Sequence, residues 1–386
     1  MRIFISAGEP SGDLHGANLI RTLKRFDPNI TFVGFGGDRM AGEGCHLLYP
    51  LCQLAIMWFV RIMAKLPTFL SLASLADRYF HHQRPDLVIL IDYPGFNGVI
   101  GRRAHFRNIP VIYFGPPQLW GWGGWRVKGL RKWVDHILCK LPFEEAWFAE
   151  RGVQAKFVGH PYFDELHSQK LDTSFVQKRK DTGRPIIGLL PGSRTQEVSG
   201  NFQSIARAAS LIHKTNPETR FLVACYKESH LSLIQSELQR YSFPVEVHVG
   251  KTPEIIDLAH SCISVSGSVS LELLHRETPS VIIYRVGKLS WQIGNYFKTS
   301  PYITLVNMMA EKELFPEFLV DHCPAKELSG QILTWLDQPE THAEIRQELR
   351  ELRQQVGQPG ACQRTAEFIW SLLQGEDKQE EMPMAA

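Results

Sequence analysis

Residues 2–13 read Arg2-Ile3-Phe4-Ile5-Ser6-Ala7-Gly8-Glu9-Pro10-Ser11-Gly12-Asp13, and residues 186–194 read Ile186-Ile187-Gly188-Leu189-Leu190-Pro191-Gly192-Ser193-Arg194. Each is a short apolar run that ends in a turn containing glycine and serine, with a helical pattern after it. A run apolar at every position suits a strand buried on both faces of a parallel sheet. The backbone N–H groups of a turn that opens a helix suit an anion. One such turn is weak evidence. Two, each opening its own half of the chain, predict an α/β protein of two Rossmann-like domains with mainly parallel sheets facing across a cleft.

The rest of the chain extends this pattern. Strand patterns at 2–7, 31–34, 87–91, 111–114, 136–139 and 156–158 alternate with helical stretches, and a second series follows at 185–190, 220–224, 245–248, 262–265 and 280–284. The first domain is placed at 1–165, a polar linker at 166–184 and the second domain at 185–345. Helical patterns within 346–374 are expected to pack back towards the first domain, and 375–386 reads as a polar tail.

Composition narrows the function. The 386 residues are 44% hydrophobic and 21% charged, as in a globular protein, and a net charge of +2 argues against nucleic-acid binding. Seven scattered cysteines without a Cys-x-x-Cys pair read as reduced thiols. An acidic residue as early as Glu9 leaves no room for a signal-peptide core, so a cytoplasmic location is expected. No Walker phosphate loop, no His-Glu-x-x-His and no Gly-x-Ser-x-Gly elbow is present, and no metal or other cofactor is expected.

Three places carry candidate chemistry. In the turn 191–194, Gly192 allows close backbone approach, Ser193 adds a hydroxyl and Arg194 a forked cation suited to phosphate, and the same residues fit a plain strand-to-helix turn with a surface arginine. The turn Ser266-Gly267-Ser268-Val269 follows another apolar strand and opens a helix; it is either an ordinary Ser-capped helix start or a pyrophosphate site with Glu272, one turn in, accepting from ribose hydroxyls. Asp92 ends the strand Leu87-Val88-Ile89-Leu90-Ile91, and a carboxylate there either takes a proton from an attacking hydroxyl or fixes the Pro94-Gly95 bend.

Two further stretches suggest a surface partner. Residues 54–80 are the most apolar of the chain, with Phe59, Met63 and Phe69 on a wide face and Pro67 expected to break or kink the helix. Residues 113–133 interleave Trp120, Trp122, Trp125 and Trp133 with basic side chains. Both fit core packing or contact with acyl chains and a bilayer surface, and the tryptophan stretch also fits a sugar platform or, last, single-stranded nucleic acid.

Taken together, these motifs resemble the lipid-A-disaccharide synthase family of glycosyltransferases, which have the GT-B architecture. The residues that carry the resemblance are Ala7-Gly8-Glu9-Pro10-Ser11-Gly12-Asp13, Glu43-Gly44-Cys45, Ile91-Asp92-Tyr93-Pro94-Gly95-Phe96-Asn97, Trp120-x-Trp122, Leu141-Pro142-Phe143-Glu144, Val158-Gly159-His160-Pro161, 190–194, Ser266-Gly267 with Glu272, and Asn307. The resemblance implies transfer of a sugar from UDP-2,3-diacylglucosamine to 2,3-diacylglucosamine 1-phosphate (lipid X), with inversion and without metal. It implies Asp92 as base. It also implies a nucleotide site from Ser193, Arg194, Gly267, Ser268, Val269, Glu272, Arg285 and Asn307, and an acceptor side at Gly8, Ser11, Gly12 and Asp13. Phe59, Met63 and Phe69 would then meet the cytoplasmic face of the inner membrane, and a homodimer is left open. Gly95 stands where the family often has a second Asp, and Gly115-Pro116-Pro117 where it often has Ser-Pro.

Overall fold

A computed structural model describes residues 1–54, 59–121, 123–180, 183–285 and 301–375, without the side chains of 59–65. The chain forms two compact units. One holds Met1–Asp164 and the chain from Pro359 onward, and the other is Glu165–Gln358.

The first unit is a seven-stranded sheet of β1 (Arg2–Ala7), β2 (Thr31–Phe35), β3 (Cys45–Tyr49), β4 (Leu87–Ile91), β5 (Val111–Phe114), β6 (His136–Cys139) and β7 (Ala155–Phe157). Their spatial order is β3-β2-β1-β4-β5-β6-β7, and every pairing is parallel. The second unit repeats the plan with six strands: β8 (Ile186–Leu190), β9 (Arg220–Cys225), β10 (Val245–Val249), β11 (Ser261–Val265), β12 (Ser280–Arg285) and β13 (Glu317–Val320). Their order is β10-β9-β8-β11-β12-β13, again all parallel. Helices cover both faces, which is why β4, β8 and β11 are buried at every position, and β4 and β8 apolar or glycine throughout.

In each sheet the winding direction reverses beside the first strand. The switch points are β1/β4 and β8/β11. Ligands of doubly wound sheets bind outside the carboxyl ends of the strands at such a point. The turn 8–13 and Asp92 follow β1 and β4, while the turns 191–194 and 266–268 follow β8 and β11. All four candidate segments therefore fall at a switch point.

The structure revises the sequence expectation at the linker, at the terminal helices and at Pro67. The described residues of the expected linker 166–184 belong to the second unit. The helix Thr173–Lys180 lies in the second unit, tied there by Arg179 to Glu246 on β10 (2.8 Å) and by Lys251 to Asp172 (2.7 Å). The terminal helices part company. Pro339–Val356 stays in the second unit, whereas Ala361–Gln374 packs on Pro10–Phe26 in the first, with Trp370 stacked on Phe26 at 5.8 Å. Pro67 sits inside one continuous helix, Phe59–Gln83, on a turn where Leu66 and Pro67 face solvent and water can satisfy the freed carbonyl.

Candidate active site

At the β1/β4 switch point the backbone itself is unusual. Asp92 and Tyr93 both adopt left-handed conformations, with φ of 48° and 50°. Such residues cost about 1–3 kcal/mol each and persist only when their surroundings hold them. Here the hold is explicit. The buried Tyr113 hydroxyl donates to the Asp92 carbonyl at 2.8 Å. The Asn97 amide donates to the carbonyls of Ser6, Ile91 and Asp92 at 3.2, 3.1 and 2.8 Å, and its oxygen accepts from the Ser6 hydroxyl at 2.7 Å. One buried asparagine thus joins the ends of β1 and β4.

The Asp92 side chain is only partly covered. Its Oδ1 accepts from the Tyr93 N–H at 3.1 Å, and its Oδ2 pairs with the Lys140 ammonium at 3.3 Å. A carboxylate offers about four acceptor positions, so two remain for a substrate hydroxyl. Lys140 follows β6 and was not among the expected site residues. Its only sequence signal is a lone lysine at a strand end.

The acceptor-side residues separate once their contacts are known. Ser11 is exposed at the start of the helix Pro10–Phe26. Gly8 makes room for the Tyr93 ring, because a Cβ there would lie 2.2 Å from it. Gly12 is buried, and a Cβ there would come within 3.3 Å of Ala7. Asp13 must be removed from the acceptor side. Its buried carboxylate accepts the N–H groups of Gly37, Arg39 and Met40 at 2.8, 3.1 and 3.1 Å, holding the helix Asp38–Gly42. Asp13→Ala should lower stability by about 2–4 kcal/mol, as expected when buried N–H donors lose a charged acceptor. Denaturant unfolding measures this, and a loss below about 0.5 kcal/mol would show the cap to be dispensable.

Two imidazoles border the same site. Burial pushes His15 down to about 3 and His160 well below its ordinary value, and the Lys140 charge adds to both. Both are neutral at pH 7. The unfolded chain takes up a proton near pH 6.5 that folded His15 refuses until about 3, so stability is full above 6.5 and falls as the pH drops through that window. By pH 5 His15 alone should remove about 2 kcal/mol. The melting temperature should therefore fall between pH 7.5 and 5, and less so in His15→Asn. An equal drop in both proteins would place the acid sensitivity elsewhere.

At the β8/β11 switch point the expected anion turn already holds a carboxylate. Gly192 has φ of 106°, and Glu197 reaches back from the first turn of the helix Thr195–Thr215. Its Oε2 accepts the N–H groups of Ser193 and Arg194 at 3.0 and 3.1 Å, and its Oε1 pairs with the Arg194 guanidinium at 2.9 Å. These are the donors that the sequence reading offered to phosphate. Arg194 is 59% exposed while Glu197 is 12% exposed, so the arginine is the movable partner.

Gly267 and Ser268 are exposed and Val269 half-buried at the neighbouring turn. Ser270 closes that turn by donating its hydroxyl to the Gly267 carbonyl at 2.9 Å. Glu272 lies beneath it, buried, with Arg276 at 3.7 Å. Arg285 ends β12, and its N–H donates to Asn201 Oδ1 at 2.7 Å, while Asn201 Nδ2 donates to the Glu197 carbonyl at 2.8 Å. Asn307 does not belong with this set. It is fully buried, its amide donates to the Phe315 carbonyl and Glu317, and its oxygen accepts from Leu314 and Phe315. Every side-chain hydrogen bond Asn307 can make folds the segment before β13, so it has none for a nucleotide.

Of the apolar candidates, Phe59 and Met63 lie outside the described side chains. Phe69 is half-buried, with its ring 5.5 Å from that of Phe96, while Leu66 and Leu70 on the same helix are exposed. The tryptophans also divide. Trp133 is buried, Trp120 donates to Glu144 at 2.9 Å, and Trp125 is exposed, while Trp122 lies outside the described residues. A cavity of about 280 Å³ lies at the opposite, amino ends of β8 and β11, between Pro185, His260 and Arg346. It touches none of the four strand-end segments, and we assign it no part in the chemistry.

Comparison with known proteins bears on the family and the fold. Residues 3–371 match the family model described as lipid-A-disaccharide synthetase. The chain is 32% identical over 374 residues to a lipid-A-disaccharide synthase of Trichlorobacter lovleyi, covering 97% of this chain and 98% of that one. It is 32% identical over 373 residues to the synthase of Geobacter sulfurreducens, covering 96% and 97%. In fold it is similar to the crystal structure of Acinetobacter baumannii MurG (TM-score 0.60, 13% identity, 96% and 99% covered). It is also similar to a putative UDP-N-acetylglucosamine 2-epimerase of Listeria monocytogenes (TM-score 0.66, 12% identity, 99% of each chain covered).

Proposed function

The chain belongs to the lipid-A-disaccharide synthase family and is a glycosyltransferase of lipid A biosynthesis with the GT-B fold; from that premise we propose how its two switch-point sites divide the reaction. UDP-2,3-diacylglucosamine is the donor and 2,3-diacylglucosamine 1-phosphate the acceptor. The acceptor hydroxyl oxygen bonds to the anomeric carbon, the bond from that carbon to the UDP oxygen breaks, and the electron pair leaves with the diphosphate. The proton goes to the open edge of Asp92. The anomeric centre inverts.

Arg194 and the turn 267–269 hold the leaving diphosphate, where charge grows in the transition state. Arg194 reaches it by exchanging the Glu197 carboxylate for phosphate oxygens. Ser193 and Arg285 complete that side, and Glu272 takes a ribose hydroxyl. Ser11 and the turn around Gly8 and Gly12 border the acceptor. The observation that carries this reading is that Asp92 and Arg194 each lie at the carboxyl end of a switch-point strand, in separate sheets.

Purified protein mixed with both acylated sugars should release UDP and form a β-linked disaccharide phosphate. Release that does not require the acceptor, or none with both present, refutes the assignment.

Both substrates carry acyl chains, so we place the enzyme at the cytoplasmic face of the inner membrane, bound peripherally. Among the described residues no helix is long and apolar enough to cross a bilayer. The exposed Leu66, Leu70 and Trp125 supply the contact on this reading. Changing Leu66 and Leu70 together to Glu should weaken liposome binding roughly tenfold or more, since each buried leucine contributes about 1.5–3 kcal/mol. The melting temperature should stay within a degree or two. Phe69→Glu should lower stability as well, because its ring packs on the core. Unchanged liposome binding in the double variant would end the proposal for this helix.

A further inference from the structure

We infer that Lys140 is a positioning residue for the transfer reaction, acting through Asp92 by fixing the orientation of its carboxylate. The inference rests on the reading of Asp92 as base. Lys140 pairs with Asp92, and the structure holds it at both ends. Its N–H and that of Leu141 donate to Glu144 Oε2 at 3.1 and 3.0 Å, and Glu144 is buried with its other oxygen bonded to Trp120. The lysine stem then crosses Gly115, whose φ is 67°. A Cβ on Gly115 would lie 2.9 Å from Lys140 Cε and 3.0 Å from its Nζ. Glycine at 115 is therefore what leaves space for this side chain, which is only 17% exposed.

The ammonium meets Oδ2 while the Tyr93 N–H meets Oδ1, so the carboxylate is held on both oxygens and cannot rotate freely. An unpinned aspartate on a left-handed residue samples several rotamers. A base displaced by about 1 Å can lose ~10²-fold in rate.

The neighbouring imidazoles strengthen the inference. The imidazoles of His15 and His160 are held neutral, so neither replaces the lysine as counter-ion to Asp92. The sheet order β4-β5-β6 is what brings residue 140 beside residue 92.

Lys140→Met and Gly115→Ala test this in the full-length protein with UDP-2,3-diacylglucosamine and lipid X. Lys140→Met should lower kcat about 10- to 100-fold, with acceptor KM and UDP affinity within about twofold. Gly115→Ala, which leaves both charged groups intact but crowds the lysine tip, should lower kcat in the same direction by less. In an Asp92→Asn background, Lys140→Met should add no further loss in single-turnover rate, because the group it orients is gone.

Unchanged kcat in both single variants overturns the inference. So does a rise in acceptor KM with kcat preserved, which would make the ammonium a ligand for the acceptor phosphate. A full additional loss in the Asp92→Asn background overturns it too. Asp92→Asn with full turnover would instead remove the base assignment on which it rests. Asp92→Asn inactive with Lys140→Met unaffected would remove this inference alone.

Discussion

Asp92→Asn should reduce turnover by about 10²–10⁴-fold, the range that general base catalysis supplies, and leave UDP affinity unchanged. Several features make this substitution clean. Asparagine has the same size and, with aspartate, is the residue that best tolerates the left-handed backbone found at position 92. The bonds from Tyr113 and Asn97 go to the backbone carbonyl, so they survive. The lost ion pair to Lys140 is partly exposed on the aspartate side and is worth at most about 1 kcal/mol. Global unfolding therefore cannot account for a thousandfold loss. A non-catalytic protein that only held nucleotide sugar would bind UDP and show no dependence on Asp92. Full turnover in this variant would remove the base assignment.

Arg194→Gln should lower turnover by about 10²–10³-fold, as loss of one group stabilising a leaving charge does, and should weaken UDP binding as well. That second effect separates it from Asp92→Asn. Arg194 is exposed, and its guanidinium pairs with Glu197, three residues on in the same helix start. Such a surface pair contributes well under 1 kcal/mol, so the fold should be unaffected. Glu197 would remain on the N–H groups of Ser193 and residue 194, keeping the helix start in place. Wild-type UDP affinity in Arg194→Gln would mean that the diphosphate lies elsewhere.

Much of this architecture is legible in the sequence because burial on two faces leaves a simple mark. β4 and β8 are apolar or glycine at every position, and each runs straight into a turn. Two of the four edge strands leave no such mark. β3, Cys45–Tyr49, is partly open along most of its length and β13, Glu317–Val320, is half-buried throughout, so neither stood out as an apolar run.

The site shows a similar split. Asp92 is visible as an acidic residue at a strand end. The direction of a polar side chain is not visible, which is why Asp13 and Asn307 read as ligand groups although both bind their own chain. Glu197 reads as a favourable first-turn acid, whereas its carboxylate occupies the turn's own donors. Lys140 lies 48 residues from Asp92, and only the sheet order brings the two together.

The division of labour between the two switch points can be read directly by hydrogen–deuterium exchange. Binding of UDP should slow exchange at 192–199 and 266–272 and leave 8–13 and 92–97 unchanged. Lipid X should do the reverse. Protection of 8–13 and 92–97 by UDP, with 192–199 unaffected, would contradict the account.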